Sequence, residues 1–152
     1  MTITKIISGG QTGVDSGALD AALALSIPIS GYCPKERLCE TGKLPARFPL
    51  IELPVKSYKA RTEKNVIESD GTLILNGNSN LQGGTLSTYL FAEQHRKPCL
   101  ILRFQKTDPQ ELFNDWIEQN KIQILNIAGP RESKHPGIYQ KTLKLVKKLL
   151  IK

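Results

Sequence analysis

Short apolar runs alternate with stretches of helical period along the whole chain, and this alternation restricts the fold more than any other feature. The predicted strands are Lys5–Ser8, Ile29–Tyr32, Leu50–Leu53, Thr72–Leu75, Cys99–Arg103 and Gln123–Ile127. The predicted helices between and after them are Val14–Leu25, Tyr58–Ser69, Leu86–His95, Pro109–Asn120 and Gly137–Leu150. Val14, Ala18, Ala21, Ala22 and Leu25 share one face of the first helix, and Ile138, Thr142, Val146 and Leu149 one face of the last. Asp108-Pro109 reads as an N-cap followed by proline at the first helical position. Leu112, Phe113, Trp116 and Ile117 follow it as a core stripe. Strands that alternate with helices pair in parallel through right-handed crossovers. Runs such as TLIL and CLILRF are continuously apolar, as burial on both faces requires. We therefore read an α/β fold with a three-layer, Rossmann-like, doubly wound, mainly parallel sheet, and a single domain over residues 1–152.

One stretch breaks the pattern. Cys33–Pro49, CPKERLCETGKLPARFP, is rich in proline and cations and has no clear period. A loop this long in a compact domain is usually functional or mobile. Composition narrows the setting. Three cysteines, Cys33, Cys39 and Cys99, read as free thiols in a reducing cytoplasm. No apolar run approaches the ~18 residues of a membrane span, and the first apolar run is too short for a signal peptide. The formal charge is +7, with Lys141, Lys144, Lys147, Lys148 and Lys152 crowded at the end. Those lysines read either as a solvated helix face or as an anion footprint. Tyr139 is the only aromatic among them, which favours the solvated face over nucleic acid.

Three turn-rich segments each follow a predicted strand and precede a helix: SGGQTG (Ser8–Gly13), NGNSNLQGGTLST (Asn76–Thr88) and AGPRES (Ala128–Ser133). In an open parallel sheet, ligands bind outside the carboxyl ends of the strands. Helix N-termini there offer unpaired N–H groups to phosphate or another oxyanion. Gly9, Gly10, Gln11, Thr12 and Gly13 are thus candidate ligand-binding residues, as are Gly129 and Arg131. Arg131 follows Gly-Pro and suits a bidentate anion clamp. Arg61 and Asn65 lie four apart on one helix face, aimed either at solvent or at the cleft.

Other chemistries lack their residues. Ser8, Gly10 and Gly13 only approximate G-x-G-x-x-G, with no acid at the end of the second strand to hold a ribose. No P-loop motif is present. Cys33 and Cys39 lack the second ligand pair of a zinc site, and no structural metal is expected. His95 and His135 have no placed partner for a triad. The candidate catalytic carboxylates are Asp15 and Glu132. Asp15 reads either as a first-turn acid or as a ligand contact, and its place at a helix N-terminus predicts that it stays ionised.

Seven segments, SGGQTGVDSGALDAAL, GYCPK, LPARFPL, RTEKNV, SDGTLIL, GGTLST and NIAGPRESKHPGIYQ, run in order through nearly the whole chain. Together they resemble the putative molybdenum carrier family, circularly permuted YpsA-type members of the SLOG superfamily. That superfamily includes the LOG phosphoribohydrolases and DNA-processing DprA. The resemblance implies a phosphate-bearing ligand between Gly9, Gly10, Thr12 and Gly13 on one side and Gly83, Gly84, Thr85 and Thr88 on the other. It implies the molybdenum cofactor or a nucleotide-derived molecule as that ligand, and a homo-oligomer. The phosphoribohydrolases carry a catalytic glutamate just after their second glycine motif. Here the only acid in the segment that carries that motif, QGGTLSTYLFAEQ, is Glu93, more than two turns down the helix. We therefore read a cytoplasmic binding protein for a nucleotide-like or pterin-phosphate anion. The alternatives are a nucleotide N-glycosidic hydrolase of phosphoribohydrolase type and a single-stranded nucleic-acid binder.

Overall fold

The computed structural model describes residues 2–104 and 107–151. In chain order the elements are β1 (Lys5–Ile7), α1 (Val14–Ala24), β2 (Ile29–Ser30), β3 (Tyr32–Cys33), β4 (Leu38–Cys39), β5 (Gly42–Lys43), β6 (Ile51–Glu52), α2 (Tyr58–Glu68), β7 (Gly71–Asn76), α3 (Gly83–Gln94), β8 (Cys99–Arg103), α4 (Gln110–Gln119), β9 (Ile124–Ala128) and α5 (Ile138–Leu150). Five strands form the central sheet in the order β2-β1-β9-β7-β8, and every neighbouring pair is parallel. Counted from β9 as the first strand, then β1, β2, β7 and β8, that order reads 3-2-1-4-5, the arrangement of a doubly wound sheet. The α/β Rossmann-like expectation holds, with the spatially first strand placed last in the chain.

The periodicities explain the layers. Ile6, Leu73, Leu75, Leu125 and Ile127 point to one face of the sheet. There they meet Ala18 and Ala22 of α1, Phe113 and Ile117 of α4, and Val146 and Leu149 of α5. Small residues let α1 and α5 approach closely: a side chain at Gly17 would press on the Tyr139 carbonyl and on Thr142. On the other side, Val66 of α2 packs with Phe91 and Ala92 of α3 and with Cys99. All four predicted inward residues of α5 are buried, and so are four of the five predicted for α1, Leu25 being half-buried. In α4 only Phe113 and Ile117 are fully buried. Leu112, predicted as core, is 56% exposed, because the helix turns a stripe only two residues wide inward.

Four predicted boundaries change for physical reasons. The strand predicted at Ile29–Tyr32 breaks at Gly31, whose φ is +135°. A side chain there would collide with the Ser8 carbonyl, so only glycine lets the chain leave the sheet at that point. The strand predicted at Leu50–Leu53 never joins the main sheet; its core, β6, pairs in parallel with β3. The helix predicted from Leu86 starts at Gly83, so the second glycine pair forms the first turn of α3 rather than the loop before it. Between β3 and β6, the irregular segment folds around its own cluster: Cys33, Cys39, Leu44, Phe48 and Leu50 pack on Leu19 of α1. It is a packed excursion rather than the open loop its composition suggested.

Candidate functional site

All five strands of the sheet run the same way, so the loops after β1, β7 and β9 emerge on one edge. They enclose a cavity of about 460 Å³, within the range of small-molecule sites. In the 3-2-1-4-5 order the chain reverses its direction of winding between β9 and β7. The cavity opens outside the carboxyl ends of those two strands, where ligands of such sheets bind.

Arg61 sets the electrostatics. It is 7% exposed, reached from α2, and its Nη1 donates to the Gly9 carbonyl at 3.0 Å. Its nearest carboxylate, Asp15 Oδ2, stands 4.0 Å away. A buried guanidinium carries five N–H donors and is costly to desolvate without an anion, and the carboxylate beside it is only loosely paired. Tyr58 lies under the same guanidinium, 5.3 Å from its ring centre. Asn65, one turn on, uses both ends of its amide: it accepts from Tyr32 N–H at 2.8 Å and donates to the Tyr32 carbonyl at 3.1 Å. It docks α2 on β3 and so aims Arg61 at the cavity.

Asp15 is perturbed by its surroundings. Its Oδ2 accepts from the Gln11 N–H at 3.2 Å. Burial raises its pKa to about 6, outweighing the nearby Arg61 charge and the Gln11 hydrogen bond that act to lower it. The carboxyl expected to be ionised at this helix N-terminus therefore titrates closer to neutrality than an exposed one, because it is buried under the glycine loop. Among the described residues, Asp15 is the only carboxylate on the cavity wall, facing Arg61, Arg131 and Lys134. That balance favours an anion.

The predicted residues divide into two groups. Gly9, Gln11, Asp15, Arg61, Asn65, Gly83, Gly84, Thr85, Thr88, Gly129 and Arg131 all line the cavity. A side chain at Gly84 would enter open space, so this part of the wall has room for a ligand atom. Gly10, Thr12, Gly13 and Glu132 do not line it. Gly10 turns toward Leu44 and Leu50, where the packed excursion covers it. Gly13, with φ +79°, lies against the backbone of Pro130–Glu132 and lets the first and third loops touch. Thr12 Oγ1 accepts from Glu132 N–H at 3.1 Å and donates to Glu40. The Glu132 carboxylate caps the start of α5, accepting from Gly137 N–H at 2.6 Å and Tyr139 N–H at 2.9 Å. It is committed to backbone and faces no ligand. Glu93 also lies off the cavity wall.

A family model for the circularly permuted YpsA SLOG family matches residues 6–150. The chain belongs to that family. A crystal structure described as a putative molybdenum carrier protein from Syntrophus aciditrophicus SB is 46% identical, covers 99% of this chain and 96% of its own, and superposes with a TM-score of 0.92. No functionally curated protein matches the chain.

Sequence reasoning missed part of this YpsA-type site. Asn76 and Asn126 line the cavity floor, both at most 3% exposed. Asn126 donates to Thr72 Oγ1 at 3.1 Å across the register of β7 and β9, and Asn76 donates to the Ser79 carbonyl at 3.0 Å. The available signal was an asparagine inside or ending an otherwise apolar run, ILNIA and TLILN, in strands read as buried on both faces. Arg103 of β8 was also missed. It holds the loop after β7 by donating to the carbonyls of Gly77 and Ser79. Lys134 and His135 reach the wall from a 3₁₀ turn at Glu132–Lys134 and just after it. Among the described residues, no group of three or more His, Cys, Asp or Glu side chains is placed to hold a metal ion. Among them, too, no helix is long and apolar enough to cross a membrane.

Proposed function

We propose that the protein, as one domain over residues 1–152, binds a phosphate-bearing heterocycle, nucleotide-like or pterin-phosphate, in this cavity. The observation that carries it is Arg61: a guanidinium 7% exposed, on the wall of an open cavity, whose nearest carboxylate is 4.0 Å away and perturbed by burial. An anionic ligand supplies the missing partner. Gly84 and the first turn of α3 leave room for phosphate against helix N–H groups. Asn76, Asn126 and Gln82 offer amide donors and acceptors to a heterocycle edge, and Tyr58 offers a ring face. A molybdenum cofactor fits as cargo, its pterin and phosphate meeting these groups. Among the described residues the wall contributes one imidazole, His135, and no thiol, so the fit is to the organic part of the molecule.

Asp15 favours a second reading, a nucleotide N-glycosidic hydrolase, because a carboxyl near pKa 6 in a cavity suits a general acid. Glu132 no longer supports it. Binding of single-stranded nucleic acid has little to stand on, since among the described residues Tyr58 is the only Phe, Tyr or Trp on the wall. The three free cysteines fit a reducing cytoplasm. Self-association belongs to the same proposal, through the outer face of α3, where Leu86 and Leu90 are 39% and 54% exposed.

Native mass spectrometry of gently purified protein reads ligand mass and subunit number together. Calorimetry with AMP then compares the wild type with Gly84→Val. The wild type is expected to bind and the folded variant to lose at least tenfold in affinity. Equal affinity in the two would remove Gly84 from the site. Release of free base that disappears in Asp15→Asn would promote the hydrolase.

A further inference from the structure

The packed excursion carries a hairpin, β4 and β5, that places Glu40 at its turn. The Glu40 carboxylate accepts from Thr12 Oγ1, from Ser133 Oγ and from Ser133 N–H at 3.2 Å, and it stands 3.6 Å from Arg131 Nε. The Thr12 hydroxyl oxygen already accepts from Glu132 N–H, so its proton is directed to Glu40. Two hydroxyls, one backbone N–H and a guanidinium therefore converge on two carboxylate oxygens. They come from the first and third glycine loops, which meet at Gly13. This donor set is the kind that holds a phosphate, and the protein's own carboxylate fills it.

Several features make the occupant replaceable. Arg131 lies on the cavity wall as well as beside Glu40, and its side chain is 39% exposed. Its 3.6 Å approach is looser than the 2.7–2.9 Å of a locked charge-assisted bond. The hairpin has only two residues in each strand, and although Cys39 anchors β4 in the cluster, Gly42 and Lys43 of β5 are exposed.

We propose that Thr12, Ser133 and Arg131 form an oxyanion subsite beside the cavity, that Glu40 occupies it as an internal stand-in, and that a phosphate group displaces the carboxylate and takes over Arg131. Occupation of the subsite by the ligand then releases the hairpin, so binding and opening of the excursion are coupled. The subsite stands on the contacts of Glu40 itself and rests on the cavity reading only for the source of the phosphate.

The test uses the full chain and inorganic phosphate, titrated by calorimetry at constant ionic strength. Glu40→Gln keeps the shape of the latch and removes its charge. It is expected to bind phosphate at least tenfold more tightly than the wild type, and adding Arg131→Ala should abolish the gain. A folded Glu40→Gln with wild-type phosphate affinity overturns the proposal and leaves Glu40 a static clasp. If Glu40→Gln does not fold, hydrogen exchange decides on the wild type: phosphate should accelerate exchange at residues 38–43 relative to chloride, and unchanged exchange overturns the proposal. AMP binding by the wild type reads the cavity separately. Failure of AMP with a phosphate gain in Glu40→Gln discards the cavity reading alone, and the converse result discards the subsite alone.

Discussion

Asp15 is a carboxyl whose folded pKa, about 6, stands above its unfolded value of 3.8. The folded state then holds the proton more tightly, so this residue favours folding below the lower value and loses that contribution as pH rises through the upper one. The gap of roughly two units corresponds to about 3 kcal/mol. Asp15→Asn removes the titration while keeping an oxygen for the Gln11 N–H. Urea unfolding should find the variant gaining on the wild type between pH 4 and pH 7, by up to about 3 kcal/mol at the upper end. A difference that stays flat over that interval would mean the carboxyl is not desolvated. Glu40 behaves oppositely. Burial works to raise its pKa, but hydrogen bonds from Ser133 and Thr12 outweigh it and hold the group below its ordinary 4.5. Its contribution is present at neutral pH and lost as pH falls below that ordinary value, so acid loosens the latch that neutral solution keeps closed.

Among the elements, the excursion between β3 and β6 is the one whose folding and function are joined. Phe48 is fully buried at the centre of its cluster, against Leu44, Leu50 and the two cysteines. It belongs to a separate core from the one under α1, α4 and α5. Phe48→Ala removes a buried aromatic at a cost of about 3–5 kcal/mol. Much of that loss should appear as local opening, because this cluster meets the main sheet at its edge strand, through Ile29 of β2. Hydrogen exchange is expected to lose protection across residues 33–50 while β7 and β9 stay protected. Uniform loss through the sheet would show that the excursion and the body are one cooperative unit. The same element explains why the Gly10 expectation changed. The glycine faces apolar side chains that arrive from more than thirty residues away in sequence.

At the scale of the molecule, the strand order is a circular permutation of a doubly wound sheet. β9, last in the chain, occupies the place of the first strand, and α5 packs beside α1 on the face that a crossover from β9 to β1 would cover. Joining residue 151 to residue 2 through a short Gly/Ser linker, and opening the chain between Asn120 and Lys121, gives the order 3-2-1-4-5 in sequence as well as in space. That permutant should fold to the same sheet, since local contacts and registers are unchanged. Its far-ultraviolet circular dichroism should match the wild type, with a cooperative melt. A molten product would show that the natural connection from α4 into β9 is needed to place the switch point.

The alternation of apolar runs and helical stretches was enough by itself to determine the α/β class, the five main helices and the three loops that reach one sheet edge, because periodicity and turn chemistry are local. Arg61, Asn65 and Arg131 were singled out for the same reason, a spacing of four on a helix and a cation after Gly-Pro, but the spacing left Arg61 and Asn65 open between solvent and the cleft. The tertiary structure alone decided which glycines reach the cavity wall. Gly9 and Gly84 line the cavity and Gly10 does not, because a residue's outlook depends on what packs over it. It also decided the raised pKa of Asp15, since desolvation comes from distant chain, and the strand order, since β9 lies between β1 and β7, both far from it in sequence. Glu40 is the clearest case. Nothing around it in the sequence marks it, and its three donors come from loops almost thirty and more than ninety residues away.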